Sequence, residues 1–144
     1  MASPIPTPIY HLTHVDNLPS IIQSGGCLSF NQKQNQGIGH VNVAYETIQD
    51  RRARTFVPCG PGGCLHDYVP FYFAPRPPML YAIHGGYVEE YEQGQDPLIH
   101  LVTTAQAVNN SGSEWVFTDG HATMAFSVFF DDLKNLDEID WKVR

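Results

Sequence analysis

No run of about 18 apolar residues occurs in this chain, so no segment reads as a transmembrane helix. The first ten residues, MASPIPTPIY, carry no basic region followed by an apolar one, so no secretory signal is expected and the cytoplasm is the default location. Cysteine is scarce. Cys27, Cys59 and Cys64 make an odd set, which argues against a disulfide framework in a reducing compartment. Cys59 and Cys64 flank GPGG with His66 just beyond, but a zinc knuckle wants a second pair and none follows. Free thiols in a loop, and no metal, are the expectation. The glycine-rich phosphate loops are missing too, both G-x-G-x-x-G and G-x-x-x-x-G-K-S/T, as are G-x-S-x-G and H-E-x-x-H. The common nucleotide folds, the hydrolase elbow and the zinc proteases all lose support.

Basic residues are few, and the net charge of −7 by itself disfavours a nucleic-acid partner. The distribution says more. Residues 1–84 hold five Lys and Arg against four acids, whereas residues 85–144 hold three against eleven. Arg51, Arg52, Arg54 and Arg76 fall in one 26-residue window with a single acid. The first half can therefore build a local anion site while the second supplies solubility.

What is present suits one globular domain over residues 1–144. At 42% hydrophobic and 12% aromatic the chain can bury a sizeable core. PIYHLTH alternates and reads as a strand. Asp16 or Asn17 can cap a short helix over NLPSIIQS, with Pro19 in its first turn and Gly25-Gly26 at its end. VAYETIQDRRA reads as a helix with Tyr45 and Ile48 inward and Arg51 and Arg52 at its C-terminal end. FVPCGPGGCLHD is a loop. YVPFYF reads as an aromatic strand, PPMLYAIHGG as a short helix, PLIHLVTT as a strand, AQAVNNSG as a helix and EWVFTD as a strand. GHATMAF connects to DDLKNLDEID, a weak last helix that stops at WKVR. The irregular mixture points to an α+β fold. That ending has neither a closing cap nor a polar tail, so a piece of a longer protein is expected.

Three stretches can carry chemistry, each with a bland alternative. In an extended 9–14, His11 and Thr13 share one face and His14 lies on the other. The pair can serve a ribose or amide edge, or be satisfied locally, while His14 caps the following turn. Arg51 and Arg52 point about 100° apart around a helix, so at most one serves a site and the other is solvated. In YVPFYFAPRPPMLY, Phe71 and Phe73 read as core, yet so many rings can also stack a planar ligand. FTDGHATMAF sets Asp119 and His121 in a loop that is either a substrate contact or an ordinary turn.

Taken in order, PTPIYHLTHVDNL, IQDRRA, LHDYVPFYFAPRPPMLYAI, LIHLV and VFTDGHA resemble the DarT-type DNA ADP-ribosyltransferase toxins, over residues 6 to 141. The resemblance implies an ADP-ribosyltransferase fold, PARP-like, with a split β-sheet and NAD in its cleft. It implies transfer of ADP-ribose from NAD to a thymine ring nitrogen of single-stranded DNA, by the toxin of a toxin–antitoxin pair. The partner it implies is a macrodomain antitoxin that removes the modification. By motif, His11, Thr13 and Asn17 would hold the NAD ribose and nicotinamide region, and Arg52 the phosphates and substrate. Tyr72, Met79 and Tyr81 would form the nicotinamide wall. His121 would help present the DNA base, so Arg52 and His121 are the expected catalytic pair.

The chain departs from that pattern in two places. The family's catalytic glutamate lies on a strand downstream of the equivalent of IDW, and Glu89, Glu90 and Glu92 do not match its motif. The expectation is a fold incomplete at its C-terminal side and a chain inactive or nearly so by itself. Gly120 stands where relatives often carry arginine. Two other readings remain: a catalytically dead module that binds NAD or single-stranded DNA, and an interaction protein that binds neither. A homodimer through an exposed sheet edge is also expected.

Overall fold

The alternating PIYHLTH segment forms strand β1, Pro8–His14, in a computed structural model that describes residues 2–41, 46–75 and 94–143. β1 pairs antiparallel with β2, Leu98–Thr104, in a register running from Pro8 opposite Thr104 to His14 opposite Leu98. The pairing closes a loop of more than 80 residues, so it is the long-range contact that organises the chain. Leu12, Thr13 and His14 are buried at its far end. His14 turns away from the His11 face, and its Nδ1 accepts from the Asp16 amide at 3.0 Å, capping the next turn as expected.

Helix α1, Leu18–Ser24, has Pro19 in its first turn and ends at Gly25, whose φ of +79° lets the chain turn out of the helix. Helix α2, Phe30–Asn35, went unread in the sequence. It starts with a capping box: Ser29 Oγ accepts from the Gln32 amide at 3.2 Å and Gln32 Oε1 from the Ser29 amide at 2.9 Å. Helix α3, Glu46–Arg54, carries the arginines in its last turn. Tyr45 and the expected helix over 77–86 lie outside the described residues.

The loop after α3 is knotted by Asp67. Its carboxylate accepts from the Cys64 amide at 3.0 Å and from Asn31 Nδ2 on α2 at 2.8 Å. These bonds, led by that from Asn31, hold the Asp67 carboxyl below its ordinary value. Gly63 belongs here because a Cβ would meet Asp67 Oδ2 at 2.5 Å, at a φ of +74°.

YVPFYF is not a strand. Pro70 has no N–H to give a ladder, and pairing shrinks to one bridge, Tyr72 to Tyr10, with two bonds of 2.8 Å. EWVFTD also contracts. β3 is only Phe117–Thr118, paired with β4, Phe129–Phe130, just beyond the GHATMAF connector in a stretch that the sequence left unassigned. After β2, Thr104 caps helix α4, Ala105–Asn110, as expected from AQAVNNSG. The weak last helix is a 3₁₀ segment, Leu133–Glu138, capped by Asp132. Leu12, Val57, Leu65, Leu136 and Ile139 form the buried apolar core. An aromatic cluster supports the β3–β4 hairpin: Phe117 stacks on Phe130 at 5.2 Å, and Phe73 meets Phe117 at 6.0 Å and Trp141 at 5.1 Å.

Candidate functional site

A groove opens on the face of β1 that carries His11 and Thr13, walled by α1, α2 and the end of α3. It has two adjoining hollows. One lies against α1 and reaches Ser20, Ser24 and Cys27; the other lies against α3 and reaches Gln49, Arg52 and His66. His11, Thr13, Asn17, Leu28, Lys33 and His40 line both. The described lining contains no Asp or Glu.

The polar groups of this wall are oriented by their own partners. His11 Nδ1 lies 2.6 Å from the Pro70 carbonyl oxygen. A carbonyl only accepts, so Nδ1 carries the proton and Nε2 is left as an acceptor. Burial pushes the imidazole below its ordinary value, against the pull of the Pro70 carbonyl and with the charges of Lys33 and Arg52 adding. Neutral His11 is therefore the form at neutral pH. Thr13 Oγ1 accepts from Asn17 Nδ2 at 3.1 Å, which leaves the hydroxyl its own proton to donate. Asn17 also grips Val41 twice: Oδ1 accepts from its amide at 2.7 Å, and Nδ2 donates to its carbonyl at 3.0 Å. Both amide hydrogens of Asn17 are thus committed to the protein.

Arg52 is anchored through Nη2, which donates to the carbonyls of Leu65 at 3.0 Å and Tyr68 at 3.4 Å. Burial lowers its pKa, Tyr72 and Cys64 oppose, and the guanidinium stays charged because arginine starts so far above neutrality. Arg51, one position back, is exposed, as the helical geometry required of one of the two. His66 is buried, stacks on Phe30 at 4.2 Å and places Nε2 3.0 Å from Gln49 Oε1.

The structure thus brings together His11, Thr13, Asn17 and Arg52. Tyr72 does not line either hollow. It reaches the site through its backbone bridge to Tyr10, and burial raises its phenol, with Arg52 opposing. His121 does not line the hollows either. Its Nδ1 engages Thr123 Oγ1 at 2.7 Å, and burial lowers its pKa with Arg52 and Arg51 adding to the effect. Met79 and Tyr81 lie outside the described residues. Lys33 and His40 were not singled out in the sequence, and His66 was weighed only as a metal candidate beside Cys59 and Cys64. The Ser29-x-x-Gln32 box was the signal for α2, and recognising that helix would have drawn attention to Lys33 in its last turn. Among the described residues no three His, Cys, Asp or Glu converge as a metal site, and Cys27, Cys59 and Cys64 are free thiols. No described helix is long and apolar enough to cross a membrane.

Comparison with known proteins agrees with this geometry. A family model described as "ssDNA thymidine ADP-ribosyltransferase, DarT" matches residues 10–143. A DNA ADP-ribosyl transferase of Thermus sp. (strain 2.9) is 51% identical over 139 residues, 96% of this chain and 65% of the relative. The solved Thermus sp. 2.9 DarT in complex with ADP-ribosylated ssDNA superimposes with a TM-score of 0.92 at 50% identity, over 99% of this chain and 66% of that one. The same DarT in complex with NAD+ gives 0.84 at 47% identity, over 98% and 65%. A Thermosipho africanus protein named as a fusion of DNA ADP-ribosyl transferase and DNA ADP-ribosyl glycohydrolase is 26% identical over 91% of this chain and 32% of its own length. The chain spans just under two thirds of the length of the Thermus relative it matches. With its mixed helices and sheets in the ADP-ribosyltransferase arrangement, this chain belongs to the DarT family.

Proposed function

We propose that this chain is the NAD-binding part of an enzyme that transfers ADP-ribose from NAD to thymine in single-stranded DNA. The observation that carries the reading is the His11–Thr13 face set opposite an anchored Arg52 in one groove. His11 Nε2 is an acceptor suited to a ribose hydroxyl, and the Thr13 hydroxyl is a donor suited to the carboxamide oxygen of nicotinamide. A dinucleotide has both groups and a diphosphate besides. The Thermus neighbour's NAD+ and ADP-ribosylated ssDNA complexes support NAD as substrate and single-stranded DNA as acceptor.

In the reaction the bond between the ribose carbon and nicotinamide breaks, and its electron pair leaves with the nicotinamide. The ribose carbon gains oxocarbenium character, a thymine ring nitrogen attacks it, and that nitrogen gives up its proton. A protein helps by holding the diphosphate, fixing the ribose and presenting the base in line. Arg52 supplies fixed positive charge beside the groove. His121, coupled electrostatically to Arg52, is the residue of the β3–β4 loop assigned to the base. Tyr72, with Met79 and Tyr81, is assigned to the nicotinamide wall. A carboxylate is still required to orient the ribose hydroxyl and stabilise the cation, and the described lining supplies none. The 144 residues are therefore assigned binding of NAD with little or no transfer, as one ADP-ribosyltransferase-like domain.

The lack of a carboxylate in the described lining is also what favours the second reading, a module that binds NAD or single-stranded DNA without catalysis. A version extended through a glutamate-bearing strand separates the two. It should label thymidine-containing single-stranded oligonucleotides with NAD, detected as a mass gain of one ADP-ribose, and leave thymidine-free ones unchanged. No labelling of any oligonucleotide, with NAD bound, would leave the second reading standing. The fusion relative, named as a transferase joined to a DNA ADP-ribosyl glycohydrolase, supports a partner that removes the modification. That partner is assigned to a macrodomain antitoxin, and the action on DNA to the cytoplasm. Among the described residues β2 pairs with β1 alone, and its other edge is the one assigned to homodimer pairing. Sedimentation that shows only monomer would remove that assignment.

A further inference from the structure

We propose that Lys33 is the diphosphate contact of the groove, with its ammonium placed between the two phosphates of a bound dinucleotide. The proposal rests on the NAD reading above and assigns a role to a residue that the family motifs do not mark. Its basis is position. A dinucleotide is two nucleosides joined by a diphosphate, and the groove is two hollows joined along a common wall. Among the described residues Lys33 is the Lys or Arg that lines both, beside His11 and Thr13, whereas Arg52 lines one.

The charge pattern points the same way. Arg52 has its Nη2 occupied by the Leu65 and Tyr68 carbonyls, so part of its donor fork is turned to the protein. Lys33, in the last turn of α2, makes no ion pair among the described residues, and no Asp or Glu lines either hollow with it. The Cys27 thiol beside it does not neutralise it, because burial pushes that thiol up. His11 and His40 in the same wall are held below their ordinary values by burial, so they add little positive charge themselves. A half-buried ammonium with no counter-ion is unfavourable until an anion arrives. A diphosphate supplies one, through charge-assisted bonds.

Calorimetric titration of the whole 144-residue chain tests this, with NAD, ADP-ribose and nicotinamide riboside, the last of which has no phosphate. Lys33→Met should weaken NAD and ADP-ribose about tenfold, the size expected for losing one charge-assisted bond. It should also flatten the dependence of Kd on salt and leave nicotinamide riboside unchanged. Lys33→Arg should stay within about threefold of the original, and Lys33→Gln should repeat the loss if the methionine variant misfolds. Equal loss for nicotinamide riboside would mean that Lys33 only shapes the groove, and an NAD affinity unmoved by Lys33→Met would overturn the proposal. Absence of NAD binding by the unmodified chain would instead sink the functional reading, and this inference with it.

Discussion

Around the groove, side chains are tied by hydrogen bonds that fix how they are oriented: His11 to Pro70, Thr13 to Asn17, Asn17 to Val41, Arg52 to Leu65 and Tyr68. Between residues 115 and 141 there are hydrogen bonds too, such as Trp141 Nε1 to Leu136, but the rings pack by face and edge. Phe117 meets Trp115 and Phe130, and Phe73, from outside the segment, meets Phe117 and Trp141. The first kind of support sets polarity and direction, because each bond fixes which atom keeps a proton. The second is tolerant of small displacements and contributes chiefly burial. NAD recognition is therefore assigned to the first region, while ring packing in the second supports the hairpin whose loop carries His121. Charge divides the same way, with the acids concentrated in residues 85–144.

The sharpest way to break that contrast is Arg52→Ala. It removes the groove's anchored cation and withdraws the Nη2 donor from the Leu65 and Tyr68 carbonyls, so NAD affinity should fall by tenfold or more. Arg52→Lys should recover only part of it, since an ammonium cannot reproduce the fork. Titration with NAD reads both.

Trp141→Ala should do the reverse. Loss of its ring contact with Phe73 and of the bond from Nε1 to the Leu136 carbonyl, 2.8 Å long, should lower unfolding stability by about 2–3 kcal/mol. NAD affinity measured well below the unfolding midpoint should not change. A large affinity loss there would show that the two regions are coupled.

Asn17→Ala should give an intermediate result. It frees both backbone groups of Val41 and lets the Thr13 hydroxyl rotate, costing about 1–2 kcal/mol of stability with a several-fold loss of NAD affinity. Asn17→Asp keeps the acceptor for the Val41 amide but loses both donated bonds. If it behaved like the original, orientation of Thr13 would not be the role of Asn17.

The smallest effect expected is a pH slope. His11, His40, His66 and His121 all have folded pKa values lowered by burial. The unfolded chain then binds more protons below about pH 6.5, the ordinary histidine value, so stability is complete above that pH and declines as pH falls. Thermal melts between pH 8 and 5 should show the decline, and His11→Gln should reduce its slope. A midpoint that rises on acidification would contradict the burial of these rings.

Local signals carried the reading furthest where neighbours in sequence decide the geometry. Period-2 alternation located β1, PLIHLVTT was legible as β2, Pro19 and Gly25 bracketed α1, and His14 capped its turn from outside the His11 face. The legible signal that went unused was the Ser29–Gln32 box before α2, and Lys33 was missed with it. YVPFYF misled because ring content mimics strand propensity, while Pro70 denies the ladder a donor. His11 and Thr13 could be placed on one face from spacing alone, and Arg52 chosen from a motif. Their meeting in one groove depends on β1, α3 and the 65–70 loop, which are far apart in sequence.

The sequence by itself determined that PIYHLTH and PLIHLVTT extend, that NLPSIIQS and AQAVNNSG coil, that at most one arginine of the pair could serve a site, and that the chain carries no glycine-rich phosphate motif. Only the tertiary structure decided the rest. It put the proton of His11 on Nδ1, left Thr13 a free donor, set Lys33 where two hollows meet and kept carboxylates out of the described lining. The reason is physical: periodicity and caps are read from residues a few positions apart. A tautomer or an uncompensated charge depends instead on groups such as the Pro70 carbonyl, 59 positions away from His11, that only folding brings into contact.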